Sequence, residues 1–393
     1  MKKVLETWLI EILIGIGKLF INPLLYYGVF FTYLLGYLRA KQERKDFHVK
    51  VEDPLLELTE YLKPSLLAGL ILSIITGVIG LNVPSVFLWI VAVVTFLISL
   101  TLRTRYLSPV YTIGLTFFII ILLKATKVDI FKSFIGGFEQ TIYPSIVVLL
   151  GLLIIAEGIL IKRRGSIQPS PLLETGKRGL IVGAQKAKRV WFIPVLLFIP
   201  DGILTVPADW WPVFIFGDAE WSPILFPFFI GFSLKAKSTL ISNIVKPYGN
   251  MVLYLGLVVT ALAVVGRWYP IISIITVGIA LIGREFIHFM YQSKENKLTS
   301  FFSSRSNGVM ILGVLPESPA DRMGLKAGEL LTRVNGNYVT NSAEFYEALQ
   351  SNRAHCKLEV YDTNGQIRLV QRALYEGDHH ELGILAVESE KPL

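Results

Sequence analysis

The chain has 393 residues, of which 53% are hydrophobic and only 17% charged, and its mean hydropathy is +0.56. Soluble domains carry roughly 25% charged residues, so a freely soluble globular protein is excluded and a bilayer is implied. The net charge of +8 sits between apolar runs, where orientation rules and anionic headgroups account for it and nucleic acid is not needed; the single Cys356 excludes an intramolecular disulfide and a thiolate metal cluster.

A helix rises about 1.5 Å per residue, so about 18 to 20 apolar residues cross a core of roughly 30 Å. The first run, Val4 to Phe20, carries Glu6, Glu11 and Lys18 and stops at Asn22-Pro23. It either crosses or lies in the interface, and these charges speak against a cleavable signal. Leu24 to Leu38 makes a short span; Ser65 to Leu81 and Ser85 to Leu102 make clear ones. Val110 to Leu123 is short again, and Pro144 to Ile161, Asn250 to Gly266 and Tyr269 to Phe289 are clear. Between them, Val190 to Leu234 is broken by Pro194, Pro200, Pro207, Pro212, Pro223 and Pro227, which predicts two short or distorted spans around an outer loop.

Lysines and arginines in the short loops orient this series. Arg39 to Lys50, Arg103 with Arg105, and Lys162 to Arg189 are basic clusters that belong inside. From Val190 to Leu234 there is no Lys or Arg, while Asp201, Asp209, Asp218 and Glu220 lie among Trp210, Trp211 and Trp221, as in an outer loop beside an aromatic belt. Lys235, Lys237 and Lys246, then Arg284, Lys294, Lys297 and Arg305, return the chain inside; Lys124, Lys127 and Lys132 run against the pattern. The expectation is about eight to ten spans in residues 1–290, both termini cytoplasmic, and a linker at 291–306.

Residues 307–393 are of another kind. Gly308 to Val314 is strand-like, Ser318 caps a short helix with Pro319 in its first turn, and Gly324 suits its stop. Leu330 to Val334 reads as a strand, Asn335-Gly336 as a turn needing positive φ, and Ser342 to Leu349 as a Ser-capped amphipathic helix. Cys356 to Asp362 and Gln366 to Arg372 flank the hairpin signal Thr363-Asn364-Gly365. The ordered set Gly308-Val309, Ser318-Pro319-Ala320, Gly324-Leu325, Gly328-Glu329 and Val334-Asn335-Gly336 resembles a PDZ domain, with Glu329 where that family usually has Asp. The family's carboxylate loop is absent before Gly308 and recurs as Glu381-Leu382-Gly383-Ile384, followed by strand-like Leu385-Ala386-Val387. This resembles the circularly permuted bacterial type.

Such a site works by β-augmentation: a partner's extended segment pairs with the edge strand Ile384 to Glu388, and loop amides around Leu382 to Ile384 hold a carboxylate. Phe345 and Leu349, one turn apart on the opposite helix, would face Leu382, Ile384 and Ala386. The alternative is that these apolar residues are only the domain's core. His379 and His380 read as a solvated pair, neither switch nor metal site.

Motifs for catalysis are missing from the sequence. There is no His-Glu-x-x-His, and Glu285 with His288 reads as an interfacial pair. No Gly-x-Ser-x-Gly elbow exists, and Ser233 with Lys235 and Lys237 reads as a helix end with cytoplasmic anchors. Glu11 and Glu157 in apolar runs suggest transport, with headgroup exposure or helix packing as the alternative because both sit near predicted span ends. The fold class expected is therefore an α-helical multi-span membrane protein with a C-terminal α+β PDZ-like domain, without cofactor or metal, and not an enzyme.

Pro23-Leu24-Leu25-Tyr26-Tyr27, Leu35-Gly36-Tyr37 and the run Arg39 to Val49 resemble the MinJ family of division topological determinants of Gram-positive rods. That resemblance implies a scaffold at septa and poles whose partners, besides membrane lipids, are the cytoplasmic division proteins DivIVA and MinD, linking DivIVA to the MinC-MinD inhibitor. An accessory subunit that presents substrates to a membrane protease is the alternative.

Overall fold

The computed structural model describes residues 2–126, 140–176, 179–205, 211, 213, 220–352, 355–373 and 382–387. Helix α1 (Lys2–Ile21) and helix α2 (Pro23–Phe47) meet at a 48° bend. The bend is local chemistry: Asn22 caps α2 by accepting from the Leu24 amide, and Pro23 occupies the first helical position. Next come α3 (Leu56–Ile79), α4 (Ser85–Ser99), α5 (Pro109–Ala125), α6 (Tyr143–Arg164), α7 (Ile241–Val265) and α8 (Pro270–Lys297). Among the described residues α3, α6, α7 and α8 are each long and apolar enough to cross a bilayer, the bent α1–α2 pair makes a fifth candidate, and α4 and α5 are shorter apolar helices.

Helix α6 is the centre: 83% of its apolar window is buried inside the protein, against 33% for α7 and α8. It lies very close to α7 because small residues face the contact. A Cβ on Gly158 would stand 2.5 Å from the Leu253 amide, and one on Gly256 2.7 Å from that of Ile155. Glu157, fully buried on α6, pairs with Arg284 of α8 at 2.7 Å and accepts from Ser108 at 2.6 Å, while Arg284 also donates to the Tyr248 hydroxyl. Glu157 is therefore buried between helices and not exposed at the headgroups. Glu285 pairs with Arg105 and accepts from Tyr111, which ties α8 to the α4–α5 connection and the start of α5.

The Pro-broken segment departs from the expectation of helical spans. It forms a long antiparallel hairpin of β2 (Ile181–Thr205) and β3 (Glu220–Ala236), with β1 (Ser170–Thr175) added at the base of β2. Val190 to Pro200 and Trp221 to Phe232 are apolar stretches of the length, about 9 to 11 residues, that a strand needs to cross. An open two-stranded sheet cannot stand in hydrocarbon with unpaired edge groups. Here α3 closes the edge of β2. The Phe192 and Leu196 amides donate to Ser65 and Ser73, Thr76 donates to the Leu196 carbonyl at 2.6 Å, and Gly69 lets the helix approach Pro194. Beyond α3, residues 81–83 take over, the Phe198 amide donating to Leu81 and Val83 donating to Phe198.

Those bonds show that residues 192, 194, 196 and 198 turn their amide positions outward. Pro194 is one of them, Pro227 lies opposite Pro194, Pro223 lies opposite Phe198, and Pro200 is two further on. All four prolines thus occupy places where the ladder asks for no donor, and each removes an edge N–H that lipid could not satisfy. The hairpin loop containing Asp209, Trp210 and Asp218 lies outside the described residues, as do Lys127, Lys132, Lys177 and Arg178.

The C-terminal part is a sheet in the order β8-β7-β5-β4-β9, with β6 beside β5. Its elements are β4 (Val309–Val314), α9 (Pro319–Arg322), β5 (Leu330–Val334), β6 (Asn337–Tyr338), α10 (Ser342–Gln350), β7 (His355–Tyr361), β8 (Ile367–Ala373) and β9 (Ile384–Ala386). Ser318 caps α9, and Asn335 and Gly336 both have positive φ in the β5–β6 turn. For α10 the cap is Asn341, not Ser342: its side chain accepts from the Glu344 amide at 2.8 Å. Glu329, the departure from the family's Asp, is buried, accepts from the Lys326 amide and pairs with Arg368 at 2.6 Å.

The stretch read as a linker is built into the fold. Helix α8 runs to Lys297, the Phe301 amide donates to Lys237 at the end of β3, and the Phe302 carbonyl accepts from Gly183 at the start of β2. Phe302 is fully buried with Met310, Leu312, Leu330 and Val387 of the C-terminal sheet, against Phe47, Leu173 and Leu240. Gln185 joins the two parts, donating to the Leu312 carbonyl and accepting from the Ile241 amide.

Candidate peptide-binding site

The residues expected to form a groove come together around β9. The turn before it needs glycine: Gly383 has φ +86, and a Cβ there would collide with the Ser318 side chain. Two carbonyls of this turn face inward, Leu382 accepting from Ala320 at 2.9 Å and Gly383 from Leu315 at 2.8 Å. Its Leu382 and Gly383 amides have no backbone acceptor among the described residues, which is the disposition that lets successive N–H groups cradle an anion. Glu381, Glu388, His379 and His380 lie outside the described residues.

Strand β9 pairs on one side only, Val314 with Ile384, Gly313 with Leu385 and Ile311 with Ala386. It ends the sheet, so among the described residues its other edge offers backbone donors and acceptors to an added strand. Ile384 and Ala386 are half-buried and pack on the cluster that contains Leu382, Phe345 and Leu349. Phe345 and Leu349 are themselves 4% and 2% exposed, so in this conformation they belong to the core of the domain. The free Cys356 lies in the same cluster, where burial pushes its thiol up to about 12.

The reverse face of β9 was not foreseen. Val387 joins Phe302, Met310 and Leu312, and a Cβ on Gly183 of the hairpin would stand 2.8 Å from both Leu312 and Val387. The strand that carries the free edge is therefore braced directly by the membrane hairpin. The available signal was a bulky pair, Phe301-Phe302, inside an otherwise serine-rich stretch; nothing in the local sequence singled out Gly183 or Gln185.

A helical membrane body with a one-edged sheet and a glycine loop at its C-terminal end defines a membrane protein carrying a PDZ domain, and the PDZ domain model matches residues 310–362. The chain is 38% identical, over 98% of its own length and 97% of the relative's, to the cell division topological determinant MinJ of Bacillus subtilis (strain 168). It is 34% identical over 102 residues to a probable cell division topological determinant MinJ of Lacticaseibacillus paracasei, 26% of this chain and 27% of that one. The chain belongs to the MinJ family of cell division topological determinants. A probable periplasmic DegP-like serine endoprotease of Marinomonas is 39% identical over 64 residues, 16% of this chain and 14% of that one, and that likeness falls in the PDZ region.

Proposed function

We propose that this chain is a non-enzymatic membrane scaffold of division-site selection, which holds an extended segment of a cytoplasmic division protein on the free edge of β9. The observation that carries the reading is that edge itself: a strand paired, among the described residues, on one side, following a positive-φ glycine and packed on the cluster that holds Phe345 and Leu349 of α10. In this reading residues 1–290 are the polytopic domain, with about eight to ten crossings that include the two hairpin strands, and residues 307–393 are the PDZ-like domain. Both termini are taken as cytoplasmic: the basic clusters at Arg39 to Lys50, Arg103 with Arg105, and Lys294 with Lys297 share one side of the alternation, and the bent α1–α2 pair enters and leaves by that same side. At septa and poles the scaffold bridges DivIVA to the MinC-MinD inhibitor, with Leu382, Gly383, Ile384, Ala386, Phe345 and Leu349 forming the peptide site.

Gly383→Val tests the reading. Both its backbone angle and the Ser318 contact forbid a β-branched side chain, so the loop must open while the helices are untouched. The expected result is normal membrane insertion with loss of MinD from septa and minicell formation. Normal septum placement in that variant would remove the groove from the function, and normal placement in a deletion strain would remove the division role altogether.

A further inference from the structure

One face of the hairpin base is a cationic floor. Across the β2–β3 ladder Lys186 lies opposite Lys235 and Lys188 opposite Ser233, and residues facing each other across a ladder share a side of the sheet. Two adjoining cavities open on this floor and share its three lysines. One, of about 540 Å³, lies against Arg39 and Gln42 of α2; the other, of about 340 Å³, lies against Arg103, Arg105 and the Tyr291 to Asn296 stretch of α8. Eight lysines and arginines line the pair, against three glutamates.

Those glutamates are already engaged. Glu57 pairs with Arg39 at 2.9 Å, Glu174 with Lys235 at 2.5 Å, and Glu295 accepts from the Lys237 and Ser238 amides. Among the described residues no acceptor reaches the ammonium group of Lys186 or Lys188. Both are half-buried, and burial together with a neighbouring lysine's charge lowers both, Lys188 to about 8. The wall of the larger cavity also changes character along its length, from Leu35, Leu38 and Val190 to the charged floor. An apolar flank beside unpaired cations matches an amphiphile whose head is a phosphate.

We propose that the Lys186–Lys188 floor binds the phosphate headgroup of an anionic phospholipid, with its acyl chain along Leu35, Leu38 and Val190. The full chain in phosphatidylcholine nanodiscs is footprinted with an amine-acylating reagent and read by mass spectrometry. One tenth phosphatidylglycerol should slow acylation of Lys186 and Lys188 at least fivefold, with Lys45 and Lys297 changed less than twofold. Protection by millimolar inorganic phosphate in phosphatidylcholine alone, unimproved by phosphatidylglycerol, would overturn the lipid as ligand; no protection by either would overturn the site. The Lys186→Gln/Lys188→Gln double variant provides a second readout. Its unfolding temperature in phosphatidylcholine should match the parent, and the rise that phosphatidylglycerol gives the parent should be lost. A rise equal to the parent's overturns the proposal without depending on acylation.

Discussion

The hairpin of β2 and β3 and the C-terminal sheet are both antiparallel, and they treat their edges in opposite ways. In the hairpin every device acts against an open edge: α3 lends its hydroxyls to the backbone of β2, and prolines delete donors at outward positions. In the C-terminal sheet β9 is short and, among the described residues, left with one side unpaired. The difference follows from the solvent. Lipid offers no substitute for a missing hydrogen bond, whereas water satisfies an idle edge.

The comparison breaks most severely at Gly69. Its Cβ position is 2.5 Å from the Pro194 carbonyl, so Gly69→Leu must push α3 off the hairpin and strip its hydrogen bonds. We expect a loss above about 3 kcal/mol, combining overpacking with unsatisfied backbone groups. Thermal unfolding in detergent measures it, and Cys356, which is buried and the only cysteine, should stay unreactive to thiol reagents because its own sheet remains folded. Phe302→Ala comes next. Emptying this site should cost about 3 kcal/mol, most of it at the seam between the two sheets, and should expose residues 298–308 to protease while both sheets persist.

Thr76→Val keeps the shape and deletes the hydroxyl that donates to Leu196. The expected cost is about 0.6 to 1.7 kcal/mol, read by the same unfolding measurement, and Thr340→Val, which deletes only an exposed hydroxyl donating to Glu344 of α10, should cost less. The smallest effect is at Glu52, beside the cavity between the two parts. Burial raises its carboxyl from 4.5 to about 6, opposed by Arg39 and Arg189 and reinforced by Glu43 and Glu57. A raised folded-state value means that the protonated form is favoured on folding. This contribution is full below pH 4.5 and lost as pH rises through about 6. Half-exposed, it amounts to less than about 1 kcal/mol after screening, and Glu52→Gln should abolish the pH dependence of seam protection in that window.

The sequence was informative wherever one local rule decided the structure. Asn22-Pro23, Ser318-Pro319 and Asn335-Gly336 fall at the cap, helix start and turn that their chemistry requires. The apolar runs from Ser65, Ser85, Pro144 and Tyr269 are helices within a few residues, apart from an extra polar turn or two at the acidic start of α3 and the basic end of α8. The hairpin was not legible, because an unbroken apolar run buried on both faces lacks the alternation that separates strand from helix. Prolines read as helix breakers were edge blockers, a meaning that depends on register. The docking of Phe302 and Gly183 depends on partners more than a hundred residues apart, which no local pattern encodes.

The continuity from Lys237 through Phe301 and Phe302 to Gly183 leaves the C-terminal module without a leash. Its heading is that of the hairpin, to which backbone bonds and the Phe302 cluster hold it. Under the proposed function, whatever joins β9 would be set at one angle to the hairpin, and a partner whose own attachment points elsewhere would be rejected by geometry before its side chains are read.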